Sequence, residues 1–202
     1  MPPREQLPPD EKPNPLRRRR RLASRGSVNF VAGFWVVRRS GGSAGNYIRL
    51  MNPPDVSVQT HIAADAMDIW CAVADPRRIT EWSPESTSVR CDVQGPLPVG
   101  ATFGGSNRNG RRQWSTKARV TESDPGRAFA FDVTFMGMSV ARWRYEISES
   151  PDGFLVEEQW WERRGVLLRL LGPFSTGVAD RRAHNEGGMN LTLAALKVGM
   201  EA

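Results

Sequence analysis

Val56-Ser57-Val58-Gln59-Thr60-His61-Ile62-Ala63-Ala64-Asp65-Ala66-Met67-Asp68-Ile69-Trp70-Cys71-Ala72-Val73 changes its hydrophobic period halfway along. Val56, Val58 and Thr60 alternate with Ser57 and Gln59, the two-residue repeat of a half-buried strand. Ala66, Ile69, Trp70 and Val73 then fall at i, i+3, i+4 and i+7, one face of an amphipathic helix with Asp65 at its start. Asp75-Pro76 ends that helix, because proline lacks an N–H and disfavours helix in the residue before it. A second short helix is predicted over Arg77 to Trp82, closed by Ser83-Pro84.

Downstream the period returns to two. Strands are predicted at Ser88–Val93 and Gly100–Phe103, then at Gln113–Val120, Phe129–Phe135, Ala141–Ile147 and Val156–Trp161. Turn signals separate them: Gly95-Pro96, Gly104-Gly105-Ser106-Asn107, Asn109-Gly110, Asp124-Pro125-Gly126 and Pro151-Asp152-Gly153. Short strands with tight turns imply an antiparallel meander. Leu167–Leu171 follows, broken at Gly172-Pro173, and a long helix is expected from about Ser175 to Glu201. One strand, two short helices, six strands and a long terminal helix make an α+β layout: a curved antiparallel sheet of about seven strands wrapped around the C-terminal helix.

Upstream the composition is different. Residues 1–50 hold six prolines between Pro2 and Pro15, the run Arg17-Arg18-Arg19-Arg20-Arg21 and the stretch Ser40-Gly41-Gly42-Ser43. Such a segment buries too little apolar surface to offset ordering entropy, so 1–54 is expected to be a disordered basic tail and 55–202 the folded domain. Three readings of the tail stay open: disordered chain, a transit or anchoring segment, or sequence outside the natural product, with Met51 as the initiator. The net charge of +6 belongs to it. Residues 1–50 carry eleven basic groups against three acids, +8, and the remainder seventeen against nineteen, −2. The charge therefore gives no reason to expect a specific nucleic-acid partner for the domain. No apolar run is long enough to span a bilayer, and a cytoplasmic protein is expected.

Cys71 and Cys91 are read as reduced, buried thiols; with only His61 and His184 beside them, a zinc site has too few ligands. No cofactor is expected either. Gly104, Gly105 and Gly110 lack the Lys-Ser/Thr of a phosphate-binding loop, and no Gly-x-Ser-x-Gly elbow is present.

Several short segments, in order, resemble the SRPBCC or START-like superfamily, in its bacterial polyketide cyclase/dehydrase and lipid-transport branch. They are Ile62-Ala63-Ala64 before the helix with Trp70, Asp75-Pro76, Glu81-Trp82-Ser83-Pro84, Trp143-Arg144-Tyr145 and Pro151-Asp152-Gly153. Val156-Glu157-Glu158-Gln159-Trp160, Asp180-Arg181-Arg182-Ala183-His184-Asn185 and Gly188-Met189 complete the set. The resemblance covers 55–202 and implies a helix-grip fold with a deep, largely apolar cavity for a lipid, a polyketide or another hydrophobic small molecule. It is far less specific for function, because one fold hosts carriers and enzymes alike.

Candidate site residues follow from phase. Glu158 shares its strand face with Val156 and Trp160; facing inward, its carboxyl would have a raised pKa suited to acid/base work. The alternatives are a solvated strand end or an ion pair with Arg142 or Arg144. On the last helix Val178, Arg182, Asn185, Met189, Leu193, Leu196 and Met200 form one stripe. Asn185 either lines a cavity or makes a structural hydrogen bond, and Arg182 is expected to snorkel outward. His184 points about 100° away from Asn185, a surface or partly satisfied histidine more readily than a catalytic one. Gly187 and Gly188 either allow close approach or mark a kink. Asp132, out of phase with Phe131 and Val133, is expected in solvent. Trp82 either gates a cavity mouth or plugs the core. Trp114, Phe131, Trp143, Tyr145, Trp160 and Met189 are core by default and would line any cavity.

The leading expectation is a hydrophobic-ligand-binding protein. The second is a polyketide cyclase/dehydrase-like lyase or cyclase in which Glu158 or His184 moves protons. The two differ in one feature: several titratable groups aimed at one point favour chemistry, and a lone polar group favours binding. A third class is nucleic-acid or membrane-surface binding through the arginine run. Oligomeric state is left open.

Overall fold

The computed structural model describes residues 28–31, 34–37 and 52–202. Strands β1 (Val28–Val31) and β2 (Phe34–Val37) pair antiparallel, with Val28 opposite Val37 and Val31 opposite Phe34. The other expectations for the tail, the arginine run among them, lie outside the described residues.

The domain from Pro54 onward is built on one seven-stranded antiparallel sheet. Its strands are β3 (Val56–Ile62), β4 (Ser86–Arg90), β5 (Thr102–Asn109), β6 (Arg112–Asp124), β7 (Ala128–Phe135), β8 (Met138–Ser150) and β9 (Gly153–Glu162). Their spatial order is β3-β9-β8-β7-β6-β5-β4, so the strands from β4 to β9 form a meander and the chain returns beside its first strand. The connection from β3 to β4 crosses the whole width of the sheet. It contains helix α1 (Ala66–Ala74), a 3-10 turn (Pro76–Arg78) and helix α2 (Ile79–Trp82). Helices α3 (Val166–Thr176) and α4 (Arg181–Met200) follow β9. The layout is α+β, as the hydrophobic periods imply, and helix-grip, as the family resemblance implies.

Local chemistry sets the boundaries. Asp65 caps α1 by accepting from Met67 N at 2.7 Å, and Asp180 caps α4 by accepting from Ala183 N at 3.0 Å. Asp75 accepts from Arg77 N at 3.1 Å while Pro76 opens the 3-10 turn. At the β8–β9 turn, Gly153 has φ +117, and a Cβ there would lie 2.5 Å from the Ile62 carbonyl oxygen. Only glycine fits. The core is packed from α1, the inner sheet face and the C-terminal half of α4: Ile69, Phe129, Val156, Leu193 and Leu196 are all but sealed from solvent.

Five expectations need correction. Gly104-Gly105 is not a turn but the middle of β5, in register with Lys117 and Thr116 of β6. Backbone pairing needs no side chain, and the missing Cβ at Gly105 lets Thr116 Oγ1 approach. The Gly172-Pro173 break is absent: α3 runs through Pro173 to Thr176 and ends at Gly177 in a left-handed conformation, φ 74. Proline forfeits only the bond to the Arg169 carbonyl, and the following turn is tied separately by the Ser175 and Thr176 hydroxyls, which donate to the Gly172 carbonyl at 3.1 and 2.9 Å. Consequently α4 begins at Arg181 rather than near Ser175. Finally, β4 occupies Ser86–Arg90 rather than Ser88–Val93. Cys71 and Cys91 are free thiols, half-buried rather than buried. No described helix is long and apolar enough to cross a membrane.

Candidate functional site

Between the inner sheet face, α4, α3 and the α2–β4 connection lies a cavity of about 470 Å³ with a largely apolar wall. The register explains who lines it. Phe131 of β7, Trp143 of β8 and Trp160 of β9 are successive partners across the sheet, and Tyr145 and Glu158 are partners one pair further along. Side chains two apart share a face, so all five point inward. The sequence-based candidates Trp114, Phe131, Trp143, Tyr145, Glu158, Trp160, Asn185 and Met189 are all brought to this wall. Trp82 is not. It is buried in the core beneath the Arg78 guanidinium, whose carbon lies 4.9 Å from the indole centre.

Glu158 is the one acidic side chain buried at the deep end of the wall, 2 % exposed. Tyr145 donates its hydroxyl to Glu158 Oε1 at 2.8 Å, while Oε2 has no hydrogen-bond partner. The expected alternative, an ion pair with Arg142 or Arg144, is not formed, because those arginines belong to the opposite strand face. Arg144 bonds Glu122, Glu146 and Gln159 there, and Arg142 lies 3.6 Å from Asp132, itself exposed. Burial without a countercharge pushes the Glu158 carboxyl up to about 8, the Tyr145 bond only partly opposing it. Burial and then the neighbouring Glu158 raise the Tyr145 phenol well above its ordinary value. At neutral pH Glu158 is therefore mainly a neutral acid, able to donate a hydrogen bond into an apolar space.

A second polar group also lines the cavity. Glu85 Oε1 accepts from Arg181 Nη1 at 2.9 Å and lies 2.9 Å from His184 Nε2. The Arg181 guanidinium also stacks over Trp114, 5.6 Å from the ring centre. His184 is thus a partly satisfied histidine on the cavity wall rather than a surface one. Among the described residues no hydrogen bond joins this group to Glu158.

Asn185 is 6 % exposed, faces the cavity and has no side-chain hydrogen bond among the described residues. Of the two readings left open, cavity lining is the one its position matches. Arg182 is exposed, as expected of a snorkelling side chain. The polar inward position is taken by Arg181 instead, four residues before Asn185, which the stripe missed because it took the three-residue step to Arg182. Gly187 has open space around it and a Cβ on Gly188 would make only ordinary contact with Pro84, so close approach is not their reason. Glu85 and the α3 side chains Leu167, Leu168 and Leu171 also line the cavity unforeseen. Glu85 lies outside any periodic pattern, and the supposed break at Gly172-Pro173 hid α3 as a wall element.

Similarity to known proteins agrees with this architecture. The family described as polyketide cyclase/dehydrase and lipid transport matches residues 53–200. The crystal structure of protein CV1439 from Chromobacterium violaceum aligns with a TM-score of 0.56 at 14% identity, covering 73% of this chain and 97% of that one. The di-domain ARO/CYC StfQ of the steffimycin biosynthetic pathway aligns with 0.56 at 14%, covering 72% and 50%. Protein NE0264 from Nitrosomonas europaea aligns with 0.52 at 12%, covering 71% and 91%. At such identities the likeness is one of fold. A search of curated protein sequences finds no match. With the helix-grip sheet, the cavity and a family match over most of its length, the chain belongs to the polyketide cyclase/dehydrase and lipid transport family of the SRPBCC superfamily.

Proposed function

We propose that this protein binds a mostly apolar small molecule, lipid-like or polyketide-like, in the cavity between the sheet and α4. Neutral Glu158 would meet a carbonyl or hydroxyl of that ligand. The observation that supports this most is the buried Glu158 carboxyl, with one unpartnered oxygen, on a largely apolar wall. An apolar body is held by burial, and one well-placed polar group orients it. Asn185 offers a second, neutral contact. Glu158 shares no hydrogen bond with the Glu85–Arg181–His184 group among the described residues, which favours binding over chemistry, since acid/base catalysis couples its groups at one reacting centre.

The test is native mass spectrometry of protein from its own host, followed by titration with fatty alcohols, fatty acids and aromatic polyketides. Ala141 is buried and lines the cavity, so Ala141→Trp is expected to weaken binding by more than about tenfold while the folded far-UV spectrum persists. Absence of any retained or titratable ligand would count against a carrier.

A second reading, a cyclase or dehydrase, is favoured by one specific observation: the Glu158 carboxyl at about 8 is matched to general acid work near neutral pH. Turnover of a poly-β-ketone by the wild type, lost in Glu158→Gln with ligand affinity kept, would establish it.

A further inference from the structure

Four polar side chains are buried among the described residues: Arg142, Glu158, Asn185 and Thr192. Arg142 belongs to the outer sheet face, beside Asp132. The other three line the cavity. Glu158 keeps one oxygen unpartnered, and neither the Asn185 nor the Thr192 side chain makes a hydrogen bond among the described residues. A threonine inside a helix can donate to the carbonyl four residues back. Thr192 does not, so its hydroxyl, like the Asn185 amide, is left to whatever fills the cavity.

The two groups on α4 lie in one row. Seven residues separate them, so at 100° per residue they point within about 20° of each other, and at 1.5 Å rise they stand about 10 Å apart along the axis. The same side of the helix carries Met189, Leu193 and Leu196, all buried. Leucine at 185 or 192 would pack as those residues do without desolvating a polar group, so packing does not account for the polarity there.

The sheet side of the cavity is of another kind. It is mostly aromatic, with Phe131, Trp143 and Trp160, and its buried carboxyl is Glu158. A hydrocarbon with one polar head can answer one of the three groups and would leave the others dry and unpaired. An amide, a hydroxyl and a neutral carboxyl are each matched by an uncharged hydroxyl or carbonyl.

We propose that Asn185 and Thr192 form a second anchoring row on α4, so that the cavity selects an elongated apolar ligand oxygenated at two places about 10 Å apart rather than a single-headed lipid. The inference rests on the proposed function and narrows it: the oxygenated edge of the ligand lies along α4 while its hydrocarbon face packs on the aromatic rings.

The test uses the full chain and two probes: hexadecanol, and a hexadecane diol whose second hydroxyl stands about 10 Å along the extended chain. Trp114, Trp143 and Trp160 line the cavity, so tryptophan fluorescence reads occupancy. The wild type is expected to bind the diol about tenfold more tightly than the alcohol. Thr192→Val keeps the outline of the side chain and removes the hydroxyl; it should bring the diol down to the affinity of the alcohol and leave the alcohol as it was. Asn185→Leu should do the same. Neither variant should melt below the wild type, since each removes an unanswered buried polar group. A merely structural role would instead lower the melting temperature and weaken both probes alike, which would overturn the inference. Equal affinity of the wild type for the two probes would overturn it as well and leave the proposed function standing. Binding of neither probe also overturns it and, with native mass spectra blank, removes the proposed function too.

Discussion

Arg144 and Tyr145 are neighbours on β8, and Gln159 and Glu158 face them on β9. One residue of phase puts them on opposite sides of the same two strands, and the two sides treat charge differently. On the outer side Arg144 is half-buried and fully answered, by Glu122 at 2.8 Å, Glu146 at 2.5 Å and Gln159 at 3.4 Å. Burial alone would lower its pKa, yet the bonds and charges of the two glutamates hold it above the usual arginine range. On the inner side Glu158 is buried more deeply and answered by one phenol, with an oxygen left over. A fold selected for stability alone has no use for the second arrangement, because an uncompensated buried carboxyl costs free energy that an apolar residue would not. The difference separates a stabilising site from one that costs stability, which the proposed function assigns to a ligand.

The largest expected effect breaks the inner side. Glu158 has a folded-state pKa near 8 against an ordinary 4.5. Its neutral form is favoured in the fold, so stability is full below about pH 4.5 and falls as pH rises toward 8. Above that the fold carries the whole cost of the charge, about 5 kcal/mol for a shift of this size. Denaturant melts from pH 4 to 9 should show this decline, and Glu158→Gln should flatten it. An unchanged slope in the variant would place the titration elsewhere. Next in size is the outer side. Arg144→Met should cost about 1–2 kcal/mol, limited by the partial exposure of Glu122 and Glu146, and should leave the pH dependence above 6 as it was. The smallest effect sharpens the comparison. Tyr145→Phe should cost about 1 kcal/mol and move the midpoint of the pH-dependent loss upward, because the phenol bond favours the charged carboxylate. A midpoint that moved down would mean the tyrosine does not act on Glu158.

How far the site was readable in the sequence follows from the same phase argument. Trp143, Tyr145, Glu158 and Trp160 were placed on one inward face by alternation, and they share it. That Glu158 bonds Tyr145 was not readable, since register between β8 and β9 is set by their turn and packing rather than by either strand alone. Trp82 failed for a related reason: a tryptophan at a helix end is equally suited to a core or a mouth, and only the packing of α2 beneath Arg78 decides. Glu85 and Arg181 stand ninety-six positions apart, so no local pattern could join them.

Local sequence determined what local physics controls. The change from a two-residue to a helical period placed β3 and α1, with Asp65 at the start of α1. Tertiary structure decided what depends on distant partners. It carried β5 through Gly104-Gly105, because the β6 backbone supplies hydrogen bonds that glycine's own preference does not predict. It also carried α3 through Pro173 and turned that helix's apolar side outward, which its sequence could not show: periodicity reports that a helix has an apolar face, and only its neighbours determine where that face points.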